Sequence, residues 1–561
     1  MSAPTPAPIH FGREIDYLED LGAKLRNLQG FATLAHELLQ NADDVPGVTT
    51  FTFNIFQDAL IVENDGRFSD CGHPETPECE WRKRPANGSH RCDFHRFRLV
   101  AGADKRNEAG TTGAFGIGFI SVYQITDRPE LISGRHWILD ETQQAGQRIT
   151  QCPGCPACLA SGLPATRFIL PWASDPASKL RTSLRAEPTT ANSPANLLAE
   201  LERSLPTAML FLKKLAKVEI RQDEKLRRRL ERVTHEDTVI LADGDSANDR
   251  VWHLVRGDFS AKATELRHLH PNRIEQKRSA EVVIAIPESA LDSGLLCATL
   301  PTQQRTGLPF HINADFYPSE DRKRIITEHD YQSAWNRAAL AAAATLLAGS
   351  LQKLKSWLGH QRLWALLARL QHVSANAGAS PDEKIFGQFW TQLAPSLAAA
   401  EVIYTQQKQW QKPSEVFYLQ QESERAALPV LESIGLSFVH DDLRPYQNLF
   451  TAAPVSVRTL AVHHIAEALK QKGFTQHFPK DAWPDFLNTK EALRALWIEL
   501  ELHFQHHDAL LLASLSLAVN RDGGLCPCNS VYSTGTAETQ NLFLRIDPTI
   551  SFASAETNSC S

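Results

Sequence analysis

Residues 34–44, LAHELLQNADD, constrain the start of this chain more than any other segment, because Glu37, Asn41 and Asp44 stand at i, i+4 and i+7. At 3.6 residues per turn these three share one helical face, with Leu34 and Leu38 free to pack beside it. The helical pattern extends back to residue 14, with Gly30 as the expected break between two helices. Residues 50–63, TFTFNIFQDALIVE, then alternate apolar and polar, as two short strands turning at Gln57-Asp58 would. A carboxylate and an amide one turn apart suit a general base beside a ligand for a hard cation. The same spacing is also the ordinary surface of a solvated helix.

Two further segments carry chemistry. In GTTGAFGIGFISVY, residues 110–123, Gly110, Gly113, Gly116 and Gly118 allow a backbone to approach phosphate closely. The FISVY run that follows is expected to continue as a helix whose first N–H groups face an anion. The phosphate loop G-x-x-x-x-G-K-[ST] is absent. The strand ending in Glu63-Asn64-Asp65-Gly66 offers side-chain acceptors beside a glycine, which can read an exocyclic amine and is equally common turn chemistry.

Along the rest of the chain, residues 136–139 and 167–170 read as strands and 172–195 as a Pro/Ser/Thr-rich linker. Residues 205–330 mix strand-like and helix-like runs, and helical patterns dominate from 331 to 515, including one Ala/Leu-rich helix at 334–358. The 561 residues suit three or four domains at about 150 residues each. With 42% apolar and 22% charged residues, wholesale disorder is excluded. A net charge of −7 argues against a basic nucleic-acid coat. The longest apolar run, 338–351, falls short of the roughly 20 residues a membrane span needs. No secretory signal is visible at the N-terminus, so a cytoplasmic protein without membrane contact is the expectation.

Taken in order, HELLQNADD, NDG, GAFGIGFISVY and ATRFILPW resemble the GHKL ATPases, the family of gyrase, heat-shock chaperones, histidine kinases and MutL. The glycine segment is similar to the lid box of the ninety-kilodalton chaperones. The form NDG-x-x-F, together with TGLPFHINADFYPSEDRKRI at 306–325, resembles the sacsin-like branch. The resemblance implies an α/β fold: a Bergerat-type sandwich that binds ATP over 1–175, a second α/β domain over 176–330, and a mainly helical region over 331–561. It implies that Glu37 orients or deprotonates the attacking water, that Asn41 ligates Mg²⁺, and that Asp44 supports the ribose or phosphate side. Gly113, Gly116, Gly118 and Phe119 would form the lid and helix start, Lys105 would reach the phosphates, and Thr166 would help hold adenine. The family's adenine-reading aspartate aligns with Asn64; Asp65 is the alternative after a one-residue shift, and Gly66 follows it. By the same analogy a second-domain cation reaches the γ-phosphate, with Arg322, Arg324, Lys323 and Arg305 as candidates. The function implied is a slow, Mg²⁺-dependent ATP-hydrolysing switch, chaperone-like, with a protein client and nucleotide-dependent homodimerisation. The alternative is a GHKL ATPase of a nucleic-acid-processing or antiviral-defence system.

Six of the ten cysteines lie between positions 71 and 158. A reducing compartment disfavours disulfides, and C-x2-C spacing suits zinc, with an iron–sulfur cluster as a minor option. Cys152, Cys155 and Cys158 form one tight triad. Cys71, His73, Cys79, His90, Cys92 and His95 either close a four-ligand site by themselves or lend Cys92 or His95 to that triad. Reduced, unpaired thiols in polar loops are the plain alternative. The basic run KLRRRLER at 225–232 is expected on an exposed strand or helix face.

Overall fold

Gly30, at φ +106°, separates two helices, α1 (Tyr17–Asn27) and α2 (Phe31–Asp43). Asp16 caps α1 by accepting from the Glu19 amide at 3.1 Å. On α2, Leu34, Leu38 and Leu39 are buried, and Glu37, Gln40 and Asp43 are buried with them. The computed structural model describes residues 16–83, 91–99, 118–155, 165–244, 249–328, 330–376, 378, 381–419, 425–533, 536–554 and 557. The described residues fall into two units. One runs to Leu347 and includes Val373–Phe389; the other holds Ala348–His372 and the residues from Trp390 onward.

The first unit is built on one sheet. Its strands are β1 (Thr50–Ile55), β2 (Ala59–Asn64), β3 (Glu130–Ile132), β4 (His136–Leu139), β5 (Ile149–Gln151) and β6 (Thr166–Pro171). They continue with β7 (Lys217–Gln222), β8 (Lys225–His235), β9 (Thr238–Ala242), β10 (Arg250–Asp258), β11 (Glu281–Pro287), β12 (Leu295–Ala298), β13 (Leu300–Arg305) and β14 (His311–Ala314). The order across the sheet is β13-β12-β14-β11-β10-β9-β8-β7-β1-β2-β6-β3-β4-β5. The β1–β2 hairpin is the one the alternation predicts, with Phe51↔Asn64 in register. β1 pairs parallel with β7, which requires a long crossover between them. Helices α1 and α2, a short helix α3 (Asp93–Phe97), α4 (Lys179–Leu184) and α5 (Ser193–Ala208) accompany this sheet. Phe51, Phe53, Leu60, Val62 and Leu170 share one core with Leu34, Leu38, Leu201 and Leu205, and that core runs on to Val218, Leu254 and Leu300. Gly22 on α1 lies against the Leu184 backbone, where a Cβ would stand 2.9 Å from the Leu184 carbonyl oxygen.

Two expectations change here, at 172–195 and 334–358, while FISVY lies on a helix and KLRRRLER on a largely exposed strand as expected. The stretch 172–195 is not a bare linker, because α4 and the start of α5 form within it. FISVY continues as a 3-10 helix, Gly118–Gln124, and not as an α-helix. It stops there because Arg181 takes up the carbonyls of Tyr123, Gln124 and Thr126. The helix expected at 334–358 is interrupted, Tyr331–Gly349 being followed by Leu351–Ala375, which itself breaks at Gly359 (φ +67°). Gly349 ends the first and the Ser350 carbonyl accepts from Leu354 N to start the second, glycine and serine being strong punctuation at such a junction. KLRRRLER is part of strand β8, where Arg228 bonds Asp243 and Arg229 bonds Glu219.

The second unit is mainly helical. Helices such as Leu428–Ser433, Val462–Gln471 and Lys490–His503 surround a core that includes Leu431, Phe438, Ile465, Phe474 and Leu496. Among the described residues, four two-stranded sheets accompany them. No described helix is long and apolar enough to cross a membrane.

Candidate nucleotide site

The polar face of α2 points into the first unit. The Glu37 carboxylate is 3% exposed and is paired with the guanidinium of Arg322. Gln40 Oε1 accepts from the same Arg322 Nη1 at 2.8 Å. Arg322 is delivered by a pinned loop. Ser319 N donates to the Arg324 carbonyl at 2.8 Å, Gln303 N to the Lys323 carbonyl at 2.9 Å, and Ile325 N to Gln304 Oε1 at 2.9 Å. At the tip, Arg322 itself adopts φ +55°, a conformation L-residues rarely hold without support. Of the four basic candidates, the fold brings Arg322 to Glu37, whereas Arg324, Lys323 and Arg305 are exposed. Lys323, Arg305, Arg203 and Arg250 help line a cavity of about 630 Å³ that also takes in His36, Glu37 and Arg322. Burial, then the positive charges of Arg322 and Arg203, push the His36 imidazole down to about 4.

Gly118 lies directly on Glu37. A Cβ built there would stand 2.0 Å from Glu37 Oε2 and 3.6 Å from Asn41 Nδ2, so both side chains face one point beneath the glycine. Gly118→Ala is therefore expected to displace the Glu37 carboxylate and abolish most turnover with little change in melting temperature. A Gly118→Ala chain that keeps the full steady-state rate would contradict this placement. Phe119 packs on Phe97 and Phe168, at ring-centroid distances of 4.8 and 5.2 Å. Lys105, Gly113 and Gly116 lie outside the described residues.

A second corner forms at the end of β2. Asn64 stands opposite Thr166 in the β2–β6 register. Asn64 Oδ1 accepts from Gly66 N at 3.0 Å, and Thr166 Oγ1 donates to the Gly66 carbonyl at 2.6 Å. Ser133 Oγ lies 2.8 Å from Thr166 Oγ1 and accepts from Phe68 N at 3.0 Å. Gly66 has no room for a side chain, since a Cβ would meet Val45 at 2.8 Å. Asp65 is turned elsewhere: its carboxylate accepts from Thr49 N, Thr49 Oγ1 and Thr50 N. Against the upward push of partial burial, those bonds hold its carboxyl below the usual range. The structure thus gathers Asn64, Gly66 and Thr166 and leaves Asp65 out. Asp44 ends α2, where its carbonyl accepts from Lys214 Nζ at 2.8 Å. Its neighbour Asp43, not singled out in the sequence, is the buried one, accepting from the amides of Lys213, Lys214 and Leu215 at 2.7–2.8 Å.

The cysteines separate into two groups. Cys71, Cys79, Cys92 and His95 have their ligand atoms within 4.8 Å of one another. His136, Cys152 and Cys155 form the other, with Cys155 Sγ 3.6 Å from His136 Nδ1 and His136 Nε2 2.9 Å from Glu130 Oε2. Among the described residues, neither Cys92 nor His95 joins Cys152 and Cys155. Their histidine is His136, which the sequence shows only as the first residue of a strand. Cys158 and His90 lie outside the described residues, and His73 is exposed beside Glu75.

Residues 17–154 match the Sacsin domain family. That matched segment holds HELLQNADD, NDG and GAFGIGFISVY, the boxes that carry the resemblance to the sacsin-like branch. It is 26% identical over 342 residues to Protein NO VEIN of Arabidopsis thaliana, covering 57% of this chain and 11% of that protein. It is 22% identical over 408 residues to human Sacsin, covering 59% and 9%. The chain thus spans about a tenth of the length of these curated relatives. Among solved structures it is similar to the ATPase region of Saccharomyces cerevisiae topoisomerase II, at 10% identity and TM-score 0.27 over 52% of this chain and 76% of that one. It is also similar to the N-terminal domain of a DNA repair protein, at 9% identity and TM-score 0.29 over 58% and 95%.

Proposed function

We propose that the chain binds ATP with Mg²⁺ and hydrolyses it slowly, using the cycle as a conformational switch. The observation that carries this reading is the convergence of Glu37, Asn41 and Gly118 on one point, with Arg322 paired to Glu37. Asn64, Gly66 and Thr166 would receive the adenine edge. Asn41 would hold Mg²⁺ through its amide oxygen, and the ion would neutralise charge on the phosphate oxygens. Glu37 takes a proton from water as the water oxygen bonds to the γ-phosphorus and the bond to the bridging oxygen breaks, releasing ADP and phosphate. The ion pair between Glu37 and Arg322 occupies both groups. Arg322 must exchange the carboxylate for phosphate before Glu37 can act as a base, which fits slow turnover. The Cys/His groups suit zinc as a structural ion with no part in hydrolysis. A chaperone-like use on a protein client, with nucleotide-dependent homodimerisation, is the downstream role this reading favours.

The test is calorimetric titration of the full chain with ATP, with and without Mg²⁺, together with steady-state phosphate release. Saturable, Mg²⁺-enhanced binding that Asn64→Ala weakens at least tenfold is expected. A chain that binds no ATP at millimolar concentration refutes the assignment. Stimulation of phosphate release by unfolded protein supports the chaperone-like role, and stimulation by DNA alone supports the nucleic-acid-processing one.

A further inference from the structure

Among the described residues between β2 and the Gly118–Gln124 helix, Cys79, Cys92 and His95 are all buried. Cys71 Sγ and Cys92 Sγ lie 3.5 and 3.2 Å from the same nitrogen, His95 Nδ1. Zn–S bonds of about 2.3 Å and Zn–N bonds of about 2.0 Å at tetrahedral angles put sulfur and nitrogen about 3.5 Å apart. The other ring nitrogen, His95 Nε2, lies 3.1 Å from the Thr76 carbonyl. A carbonyl only accepts, so Nε2 carries the proton and Nδ1 presents its lone pair to the sulfurs, the arrangement of a metal-bound imidazole with an outer partner. Cys92 N donates to Cys79 Sγ at 3.3 Å, which favours a thiolate there. None of the three cysteines, Cys71, Cys79 or Cys92, is in a disulfide.

The group is wired to the corner formed by Asn64 and Thr166. Asp93, next to Cys92 in α3, accepts from Ser69 N at 2.9 Å and from Ser69 Oγ at 2.6 Å, and Asp93 N donates back to Ser69 Oγ at 2.9 Å. Phe94 and Phe97 of α3 pack on Phe68, at ring-centroid distances of 5.4 and 5.8 Å. Phe68 N in turn donates to Ser133 Oγ, the neighbour of Thr166 Oγ1. We propose that Cys71, Cys79, Cys92 and His95 bind one zinc ion in a closed tetrahedral site, and that this ion is the lock that shapes the adenine-binding corner. Only the second half rests on the nucleotide reading above. With four protein ligands the site has no open position, so the ion orders chain and takes no part in hydrolysis.

Elemental analysis and zinc-edge X-ray absorption on the full chain, purified after growth with zinc, test the first half. Cys79→Ser combined with Cys92→Ser is expected to lose one equivalent of zinc, which Cys155→Ser and His95→Cys both keep. No zinc in the unsubstituted chain, iron in its place, or an undiminished zinc content in the double variant overturns the site. For the second half, zinc is stripped from the unsubstituted chain with a chelator and ATP affinity is measured before and after. A loss of at least tenfold, restored by Zn²⁺ and not by Mg²⁺, is expected; equal affinity without zinc overturns the lock. A zinc-loaded chain that binds no ATP overturns the nucleotide reading and the lock together, while the metal count still decides the site.

Discussion

Glu37→Gln is expected to lower steady-state ATP hydrolysis by about 10²–10⁴-fold, the usual contribution of a positioned general base. ATP affinity should change little. The substitution keeps the size of a side chain that is only 3% exposed, so the packing of α2 against its sheet survives. What disappears is the charge that pairs with Arg322 and that, in the proposed reaction, would accept the water proton. Glutamine leaves the Arg322 guanidinium with Gln40 Oε1 at 2.8 Å as its remaining described partner on α2. That frees the cation for phosphate, and nucleotide binding is expected to hold or tighten. The decisive comparison is single-turnover phosphate release beside equilibrium binding on one preparation. A Glu37→Gln chain that hydrolyses ATP at the unsubstituted rate would remove Glu37 from the chemistry altogether.

The largest expected loss of stability is at Arg181. Its side chain is 1% exposed, and its guanidinium is fully engaged. Nη2 donates to the carbonyls of Tyr123 at 2.6 Å and Thr126 at 2.9 Å, Nη1 to those of Gln124 at 3.1 Å and Glu187 at 3.3 Å, and Nε to Asp127 Oδ1 at 2.5 Å. The planar fork of arginine fits this set, and the single ammonium of lysine does not. Arg181→Ala leaves Asp127 only its bond from Ser178 Oγ and strips several carbonyls of their donor, and breaking a buried pair on one side costs about 3–5 kcal/mol. Because those carbonyls end the Gly118–Gln124 helix, the loss falls on the element that carries Gly118 and Phe119. Denaturant unfolding followed by tryptophan fluorescence should show the first transition moved to markedly lower denaturant. Arg181→Lys should recover only part of the loss. An unmoved midpoint in Arg181→Ala would show that the network contributes nothing net.

Much of the site is readable from local spacing. The face of Glu37 and Asn41 follows from the helical period, and the β1–β2 hairpin follows from alternation around Gln57-Asp58. Asn64 and Thr166 are visible as boxes, but their pairing depends on the β2–β6 register, a contact between residues about a hundred positions apart. Ser133, Asp43 and His136 give no local signal, because each acts through partners distant in sequence. Asp43 shows why. In the pair Asp43-Asp44 the two side chains look equivalent, and only the arrival of 213–215 at the end of α2 makes the first one buried and triply bonded. Which of the four basic residues meets Glu37 likewise depends on one loop tip, where Arg322 is held at φ +55°.

The parallel pairing of β1 with β7 has a mechanical consequence. Six residue pairs, from Thr50↔Lys217 to Ile55↔Gln222, join the strands that carry the two halves of the first unit. Each backbone hydrogen bond contributes about 0.5–1.5 kcal/mol net, and an opening that exposed their strand edges would forfeit several at once. The two halves therefore behave as one elastic plate with no axle between them. In the proposed cycle, work done at the phosphate end would reach the far strands only as a change of twist, or as movement of what hangs from the rim, where the loop bearing Arg322 hangs.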